Sequence, residues 1–352
     1  MSREFVWRDA GRTVVFGAGG VERAPAILAE HGVGEFELLS TERALARDGG
    51  IAGAETLASA ATAVHEIGPG QVPALAADLL DRVVAISSPM GAKWRPPGLV
   101  ALGGGRVIDV AKAVASVTGA EVVAVPTTMS GAEMTAIHRL PAGAESRGRG
   151  MVRPRLVIAD PEAMTGQPEA QLRASSMNAL AHGADSLYTP LANPVSVQTA
   201  VRGAGLIGAA LDQEPPARDR ADLALGSILC GYAIDSAGFG LHHVVCQTLV
   251  RVCGTPHAET NAAILPPALA FLTDRDPDAF EPLASALGTD LPGLARRLTD
   301  LGRPPTLAPL STQPENLESA LEAMLQRSEL GHVPGPAVSH ADLAAIVASA
   351  WQ

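Results

Sequence analysis

Two segments in the second half of the chain carry histidines at spacings that could build a polar reaction site. The segment SSMNALAHGAD places Asn178 and His182 four residues apart, which on a helix puts both side chains on one face. The segment GLHHVVCQTLVRVCGTPHAETNAA adds His242, His243 and His257. Imidazole nitrogens can hold a divalent metal ion or transfer protons near neutral pH. The alternative is that these histidines are packed in a helical core and share no site.

Three short loops in the first half are rich in glycine and threonine and follow apolar segments typical of buried strands. Glycine lets the backbone approach a pyrophosphate closely, and the N-terminus of a following helix offers free N–H groups. We expect the following residues to contact a dinucleotide: Gly17, Gly19, Gly103, Gly104, Gly105, Thr127 and Thr128. The first loop does not follow the G-x-G-x-x-G pattern and the chain has no P-loop, so ordinary strand–helix turns are the alternative.

Two further residues of this half are expected to contact the cofactor. Asp109 lies one turn before Lys112 on the helix after the three glycines, and a solvated Asp–Lys pair is the alternative. Ser40 ends the second strand and is followed by Thr41 and Arg43 rather than by an acidic residue. This pattern permits a 2′-phosphate without requiring one, so it does not decide between NAD and NADP.

The elements that carry these loops alternate between strands and helices. The segments RTVVFG, EFELLST, LVALGGG, EVVAVPTT and PRLVIADP predict strands, and helical patterns lie between them. Such alternation predicts a mostly parallel sheet covered on both faces. After Asp160 the sequence shows only helical spacing, broken by Gly and Pro. We therefore expect an α/β dinucleotide-binding domain at residues 1–160 and an all-α substrate domain at 161–352.

Composition excludes several classes of function. A length of 352 residues suggests two domains, and the net charge of −11 comes with no basic stripe for nucleic acid. No apolar run reaches the ~18 residues that a membrane span needs. The three cysteines have no metal-like spacing, and their odd, low count fits a reducing cytoplasm. We expect a cytoplasmic protein, a homodimer, that acts on a small molecule.

Taken in order, these motifs resemble those of the iron-containing (group III) alcohol dehydrogenases, and most closely the maleylacetate reductases. GGGRVIDVAKAVA resembles the cofactor motif of the family, and PTTMSGAEMT is similar to its PTT-x-x-G-S-E-x-T loop, with Ala132 where serine is usual. MNALAHGADSLYTPLANPVS and GLHHVVCQTL resemble motifs of its helical domain. The resemblance implies a dehydroquinate synthase-like fold, with nicotinamide and substrate in a cleft between the two domains.

The resemblance also places the four metal positions of the family on Asn178, His182, His243 and His257. The family ligand at the first position is aspartate, and asparagine there removes one negative charge from the site. The maleylacetate reductase branch shares this change and looks metal-independent. We therefore expect NAD(P)H as the cofactor and no resident metal.

Two departures from the family pattern bear on activity. Gln247 occupies a position where the family often has a histidine suited to proton transfer near the nicotinamide, and Val244 stands where the reductase branch tends to have a basic residue. We expect NAD(P)H-dependent reduction of a small carbonyl or enone, with His243 as the proton donor because it lies one turn before Gln247. The alternatives are non-redox chemistry (decarboxylation, cyclisation or dehydration) and cofactor binding without catalysis.

Overall fold

The computed structural model describes residues 5–9, 11–86 and 96–352, with the side chains of 5–9 and 83–86 left aside. The chain divides into two compact units, Met1–Gly166 and Gln167–Gln352. The first unit contains a sheet with helices, and the second contains helices.

Seven strands in the described part of the first unit form one sheet, in the spatial order β1-β2-β7-β6-β5-β3-β4. Their bounds are β1 Phe5–Asp9, β2 Arg12–Phe16, β3 Phe36–Ser40, β4 Ala63–Glu66, β5 Gly98–Gly103, β6 Val122–Pro126 and β7 Leu156–Ala159. Only the β1–β2 pair is antiparallel among them, so the predicted mostly parallel sheet is confirmed. The sequence did not predict β1 or β4, because FVWRD and AVHE are short and partly charged.

Within its described residues the first unit has six α-helices: α1 Ala24–Glu30, α2 Glu42–Leu45, α3 Ala54–Ala60, α4 Val72–Ile86, α5 Gly105–Thr118 and α6 Pro161–Met164. Alternate residues of β5 point to opposite faces, as the pleat of a strand requires. Leu99 and Ala101 pack in the core formed with α4 and α5. Val100 and Leu102 pack in the core formed with α1 and α3. The central strand is therefore buried on both faces, which explains its unbroken apolar sequence.

The second unit contains nine α-helices within the described residues: α7 Glu169–Asp185, α8 Pro194–Leu211, α9 Arg220–Ala237, α10 Leu241–Val252, α11 His257–Arg275, α12 Pro277–Ala286, α13 Leu294–Gly302, α14 Leu317–Leu325 and α15 His340–Trp351. A 3₁₀ turn, Ser328–His332, follows α14. Glycines bring α8 and α9 close together, since a Cβ on Gly203 would lie 2.7 Å from the carbonyl oxygen of Gly226. Small residues at such contacts explain how a core with few aromatic side chains is filled.

The sequence led us to expect no membrane-spanning segment and no paired cysteines. In the described residues no single helix has both the length and the apolarity that a membrane crossing requires. The pair α9 and α10 satisfies that criterion only when joined, and the two helices are bent by 97°. All three cysteines are buried free thiols.

Candidate active site

The first glycine loop, at the end of β2, is held in place by the neighbouring strand β7. Gly17 donates its N–H to the carbonyl oxygen of Ala159 at 3.1 Å, and the Asp160 carboxylate accepts the N–H of Val21 at 3.1 Å. Gly19 has φ of 71°, a left-handed conformation that favours glycine. The loop therefore presents a fixed backbone at the carboxyl edge of the sheet, where open α/β folds bind ligands.

The three glycines after β5 form a second loop, which touches the loop after β6. Gly104 is the N-cap of α5 and has no side chain to cap the helix N–H groups. A Cβ on Gly104 would lie 3.0 Å from Thr128, and one on Gly105 would lie 2.9 Å from Ser130. Gly103 is equally constrained, since its Cβ would lie 2.6 Å from Val107. The close approach of the two loops thus requires glycine.

The threonines of the loop after β6 offer further polar groups on the same edge. Thr127 donates its N–H to the carbonyl oxygen of Gly103 at 3.0 Å, which ties the two loops together. The hydroxyl oxygen of Thr128 is buried and has no hydrogen-bond partner in the part of the chain that the structure describes. An orphaned hydroxyl beside an uncapped helix N-terminus fits a phosphate or ribose oxygen of a dinucleotide.

Asp109 and Ser40 both have partners within the protein, of which the sequence indicated only Lys112 for Asp109. Lys112 is fully buried, and its Nζ lies 2.8 Å from Oδ1 of Asp109, so the pair is not the solvated one of the alternative reading. The same Nζ donates to the carbonyl oxygens of Ala132 at 3.0 Å and Thr135 at 3.1 Å. The hydroxyl of Ser40 is buried and donates to the carbonyl oxygen of Leu102 at 2.8 Å. Both residues therefore stabilise the loop region, whether or not they also contact a cofactor.

In the second unit, the structure brings His182 of α7 and His243 of α10 together. Their rings stack with centroids 4.8 Å apart and planes 11° from parallel. Asn178 lies one turn before His182 on α7 and is buried with it. Burial, followed by the charges of His243 and His242, holds the pKa of His182 well below its usual value. His257, the first residue of α11, is exposed, although its charge also contributes to the lowered pKa of His182.

Asp185 is the residue of this cluster that the sequence reasoning missed. It ends α7, is fully buried, and its Oδ2 accepts a 2.7 Å hydrogen bond from Nδ1 of His243. The N–H of Gly240, at 3.0 Å, and the hydroxyl of Tyr188, at 3.0 Å, donate to the same carboxylate. Burial opposes its ionisation, but the hydrogen bond and charge of His243 lower the pKa of Asp185 to about 2. Its position three residues after His182 was the available signal.

The Asp185 carboxylate fixes the orientation and tautomer of His243. Because the carboxylate accepts the Nδ1–H, the opposite nitrogen, Nε2, is directed away from it. That Nε2 is buried and has no hydrogen-bond partner among residues 5–9, 11–86 and 96–352. Phe239 stacks on His243 with centroids 4.6 Å apart. The result is an immobilised imidazole whose free Nε2 accepts a hydrogen bond when the ring is neutral and can give up a proton when the ring is cationic.

His242 has a different environment from its neighbour His243. Its Nε2 lies 3.0 Å from the carbonyl oxygen of Asn261, and its ring meets that of His243 edge-on at 5.1 Å. Burial, followed by the charge of His243, lowers the pKa of His242 to about 4. The contact with Asn261 links α10 to α11, which is a structural role.

The donor set fits a divalent metal ion poorly. Ligand atoms of Asp185, His242 and His243 lie within 4.8 Å of one another and could surround an ion. However, Oδ2 of Asp185 already accepts N–H groups from Gly240 and from the backbone and ring of His243. The Nε2 of His242 lies against a carbonyl group, although its Nδ1 has no hydrogen-bond partner in the described residues. At the first of the four family positions, Asn178 brings no negative charge, so no step described below uses a metal.

Gln247 and Val244 lie on the same helix as His243. Val244 is fully buried, so it leaves no place for a basic side chain on that part of α10. Gln247 is half-buried and accepts a hydrogen bond from Arg327 at 3.2 Å. Nothing in the sequence connects Gln247 with Arg327, because the two residues are 80 positions apart.

Comparison with known proteins agrees with the geometry. The iron-containing alcohol dehydrogenase model matches residues 11–161, and the model of the Fe-containing alcohol dehydrogenase family, C-terminal, matches residues 173–350. The chain is 37% identical over 319 residues to maleylacetate reductase of Burkholderia cepacia, covering 88% of each protein. It is 33% identical to maleylacetate reductase of Pseudomonas aeruginosa, covering 89% of each.

Comparison with solved structures also identifies maleylacetate reductases as similar proteins. The crystal structure of maleylacetate reductase from Agrobacterium tumefaciens matches with a TM-score of 0.79 and 27% identity, over 100% of this chain and 99% of that one. The expected fold class, an α/β unit followed by a helical unit, is thereby confirmed, and so is the resemblance seen in the sequence motifs. The chain belongs to the iron-containing alcohol dehydrogenase family of oxidoreductases, within its maleylacetate reductase branch.

Proposed function

We propose that this enzyme reduces a small carbonyl or enone compound with NAD(P)H, in a reaction like that of its maleylacetate reductase relatives. The observation that carries the proposal is the Asp185–His243 pair, which leaves Nε2 of a buried, immobilised imidazole free. Reduction of a polar double bond needs a hydride at carbon and a proton at the more electronegative end or the adjacent carbon. The protein supplies orientation and the proton, and the cofactor supplies the hydride.

The cofactor site that we propose is the carboxyl edge of the sheet in the first unit. Backbone N–H groups at the N-terminus of α5 attract the pyrophosphate, and the hydroxyl of Thr128 is available to one of its oxygens or to a ribose. Gly17, Gly19 and Gly103 to Gly105 keep side chains out of this edge. The bound dinucleotide supplies a hydride from its nicotinamide ring. The hydroxyl of Ser40 already donates to the carbonyl oxygen of Leu102, so it does not discriminate between NADH and NADPH.

The proton role that we propose falls to His243. Its Nδ1 is held by Asp185, so Nε2 is the nitrogen that donates to the substrate oxygen as negative charge develops there. Asp185 stabilises the cationic ring that exists before the proton is given up. The ring of His182 stacks on the ring of His243 with centroids 4.8 Å apart. It thereby excludes water from one face of the His243 ring and keeps that ring in place.

Several expectations accompany this proposal. A metal-independent mechanism is supported by the lack of a free carboxylate in the donor set, because Asp185 is saturated by hydrogen bonds. A cytoplasmic location is supported by three free cysteines, and a homodimer stays a prediction. Non-redox chemistry was suggested by Asn178, Val244 and Gln247, but the relatives over most of the chain are reductases and do not favour it.

The test is a fluorescence titration of the purified protein with NADH and with NADPH, followed by assays of nucleotide oxidation. Maleylacetate, simple ketones and enones serve as substrates. We expect saturable binding of at least one nucleotide and its oxidation by an enone or oxo acid. Absence of binding for both nucleotides would remove the reductase proposal altogether. Binding without oxidation of any carbonyl would favour the non-redox alternative.

A further inference from the structure

The side chain of Arg106 links two loops at the carboxyl edge of the sheet in the first unit. Arg106 is the second residue of α5, which follows β5, and its Nη1 donates to the carbonyl oxygen of Gly68 at 3.3 Å. Gly68 lies in the loop after β4. Because β3 lies between β5 and β4 in the sheet, the guanidinium group lies beside the carboxyl end of β3, which is Ser40.

Hydrogen bonds fix the position of this part of the edge. The N–H of Ile67 donates to the carbonyl oxygen of Ser40 at 2.7 Å, which joins the loop after β4 to the end of β3. The hydroxyl of Ser40 in turn donates to the carbonyl oxygen of Leu102 in β5 at 2.8 Å. Gly68 follows Ile67, so the contact with Gly68 holds the Arg106 side chain at a defined position relative to Ser40.

The charge of Arg106 has no counterion within the described residues. Its hydrogen bond to Gly68 is made to a neutral carbonyl group, and Asp109, one turn further along α5, is paired with Lys112 at 2.8 Å instead. The first turn of α5 contains no acidic residue. The N-terminus of a helix carries a partial positive charge, so a cation in the first turn is unfavourable unless an anion binds there.

The end of the strand after the first glycine loop is where dinucleotide-binding folds distinguish the two nicotinamide cofactors. An acidic side chain at this position binds the ribose 2′-OH of NAD, whereas a nearby arginine accommodates the 2′-phosphate of NADP. In this chain that strand is β3, and it is followed by Thr41 rather than by a carboxylate. The Thr41 hydroxyl oxygen accepts the N–H of Ala44 at 3.2 Å and thereby caps α2.

We propose that Arg106 binds the 2′-phosphate of NADPH and makes the enzyme prefer NADPH to NADH. This inference rests on the proposed function and names the cofactor of that reaction. A pyrophosphate at the N-terminus of α5 places the adenosine ribose next to the first turn of that helix. The buried hydroxyl of Thr128, which has no hydrogen-bond partner in the described residues, supports that position of the pyrophosphate independently of Arg106. The N–H donors of a guanidinium group match the oxygens of a phosphate.

Arg43 is the competing candidate for this role, because it lies in α2 shortly after β3. Its side chain is exposed, follows Glu42 directly, and has no hydrogen bond or ion pair within the described part of the chain. Arg106, in contrast, is held to Gly68. Glu42 and Glu66 are exposed acidic residues after β3 and at the end of β4, and their charges repel a phosphate. A 2′-phosphate at this edge therefore requires a cation with a defined position.

Fragments of the cofactor measure this interaction without hydride transfer. Adenosine 2′,5′-bisphosphate and 5′-AMP differ only in the 2′-phosphate, and both are titrated calorimetrically into the full-length enzyme. NADPH and NADH are compared in the fluorescence titration. The variants are Arg106→Met, Arg106→Glu and Arg43→Met. Arg82→Met is the matched control, because Arg82 is also exposed and its side chain also donates to one backbone carbonyl group, that of Asp78.

We expect the wild type to bind adenosine 2′,5′-bisphosphate more tightly than 5′-AMP, and NADPH more tightly than NADH. Arg106→Met should weaken binding of the two 2′-phosphorylated ligands about 10- to 100-fold, the range for loss of a hydrogen bond to a charged group. The affinities of this variant for 5′-AMP and NADH should stay at the wild-type level. Arg106→Glu should bind NADH more tightly than NADPH, while Arg43→Met and Arg82→Met should keep the preference of the wild type.

Three results would overturn the role of Arg106. The first is a wild type that binds NADH as tightly as NADPH or more tightly. The second is a preference for the 2′-phosphorylated ligands that is unchanged in both Arg106→Met and Arg106→Glu. The third is an equal loss of affinity for both members of each ligand pair in Arg106→Met, which would mean that Arg106 binds the pyrophosphate instead.

The same titrations separate this inference from the reductase proposal. If neither nucleotide binds, both proposals fail. If NADPH is preferred through Arg106 but no carbonyl compound oxidises it, only the reductase proposal fails. Circular dichroism of each variant shows whether it is folded, and we expect all of them to be folded because Arg106, Arg43 and Arg82 are exposed.

Discussion

The cofactor loops of the first unit and the imidazole cluster of the second are built in different ways. The loops consist of consecutive residues at the ends of parallel strands, and they act through backbone N–H groups and the absence of side chains. The imidazole cluster depends on side chains from different helices, such as Asp185 and His243, which are 58 positions apart. A local backbone site is visible in a sequence, whereas a network of side chains needs the tertiary structure.

The largest expected effect is on cofactor binding, and it follows from a change at Gly104, where the site depends on the absence of a side chain. In Gly104→Val the Cβ would lie 3.0 Å from Thr128, and the branched side chain would fill the space before α5. We expect loss of measurable binding of NADH and NADPH in the fluorescence titration, with the far-ultraviolet circular dichroism unchanged. Gly34→Val is the control, because a Cβ at Gly34 meets no atom within 4 Å. Wild-type affinity in Gly104→Val would exclude this loop from the cofactor site.

His243 should have the next largest effect, and on turnover rather than on cofactor binding. Loss of a general acid typically costs about 10²–10⁴-fold in rate. We expect His243→Ala and His243→Gln to reduce kcat within that range, while nucleotide affinity measured by fluorescence stays at the wild-type level. Near-wild-type turnover in both variants would mean that the proton comes from solvent or from the substrate.

Asp185→Asn tests the part of the cluster that orients His243. Asparagine keeps the size of the side chain, and its Oδ1 can still accept the Nδ1–H of His243, but it removes the charge that stabilises the cationic ring. Changes at residues that orient a reacting group typically cost about 10–100-fold, so we expect kcat to fall by that factor with nucleotide affinity unchanged. Asp185→Glu, which keeps the carboxylate, should be less impaired in kcat. If Asp185→Asn turns over like the wild type, the carboxylate has only a structural role.

Much of the fold was predictable from the sequence because its signals are local. Strand β5 is an unbroken apolar run that ends in glycine, and α5 ends at Gly119, whose left-handed φ of 78° favours glycine. Strand β4 escaped prediction, since AVHE is short and gains its stability from pairing with β3. Propensity is a weak guide for such a segment, because its tertiary neighbours decide its conformation.

The site was predictable only in part, for the same physical reason. The sequence predicted a shared cluster of Asn178, His182, His243 and His257. In the structure the rings of His182 and His243 stack, whereas His257 is exposed. The position of Asp185, three residues after His182, was only a weak signal, because an acidic residue on a helix is usually solvated. Burial makes Asp185 informative, since a buried charge requires compensating hydrogen bonds.

The metal content of the purified protein tests whether the imidazole cluster of the second unit binds the metal ion that its family implies. We expect elemental analysis of the purified protein to find little iron or zinc after dialysis. Asn178→Asp restores a carboxylate beside His182, so it should bind added zinc about tenfold more tightly than the wild type does. Stoichiometric metal that survives dialysis in the wild type would contradict this expectation. Zinc is the ion that three imidazoles would retain best.

The smallest expected effect is on the pH dependence of stability, and it arises from Glu133 of the first unit. The sequence does not reveal that this side chain is buried. Glu133 is fully buried in the loop that Lys112 holds, and neither carboxylate oxygen has a hydrogen-bond partner within the described ranges. Burial raises the pKa of Glu133 from 4.5 to about 7, although Lys112 and Arg12 oppose the shift and Asp109 adds to it. Ionisation near neutral pH therefore places a charge in the core of this loop that Lys112 and Arg12 compensate only in part.

The sign of the effect on stability follows from that shift. A carboxyl group whose pKa is higher in the folded state stabilises the fold fully below pH 4.5, and the contribution is lost as pH rises through about 7. One pKa unit corresponds to about 1.4 kcal/mol, so the loss is on the order of 3 kcal/mol at most. Glu133→Gln does not ionise and should be spared this loss.

We expect the difference in Tm between Glu133→Gln and the wild type to become more positive between pH 5 and pH 8, by a few degrees in differential scanning calorimetry. The control is Glu55→Gln, because the side chain of Glu55 is 77% exposed and its change should leave the pH dependence as it is. A difference in Tm that is the same at both pH values would mean that Glu133 keeps an ordinary pKa. In that case the charges of Lys112 and Arg12 would offset the cost of burying Glu133.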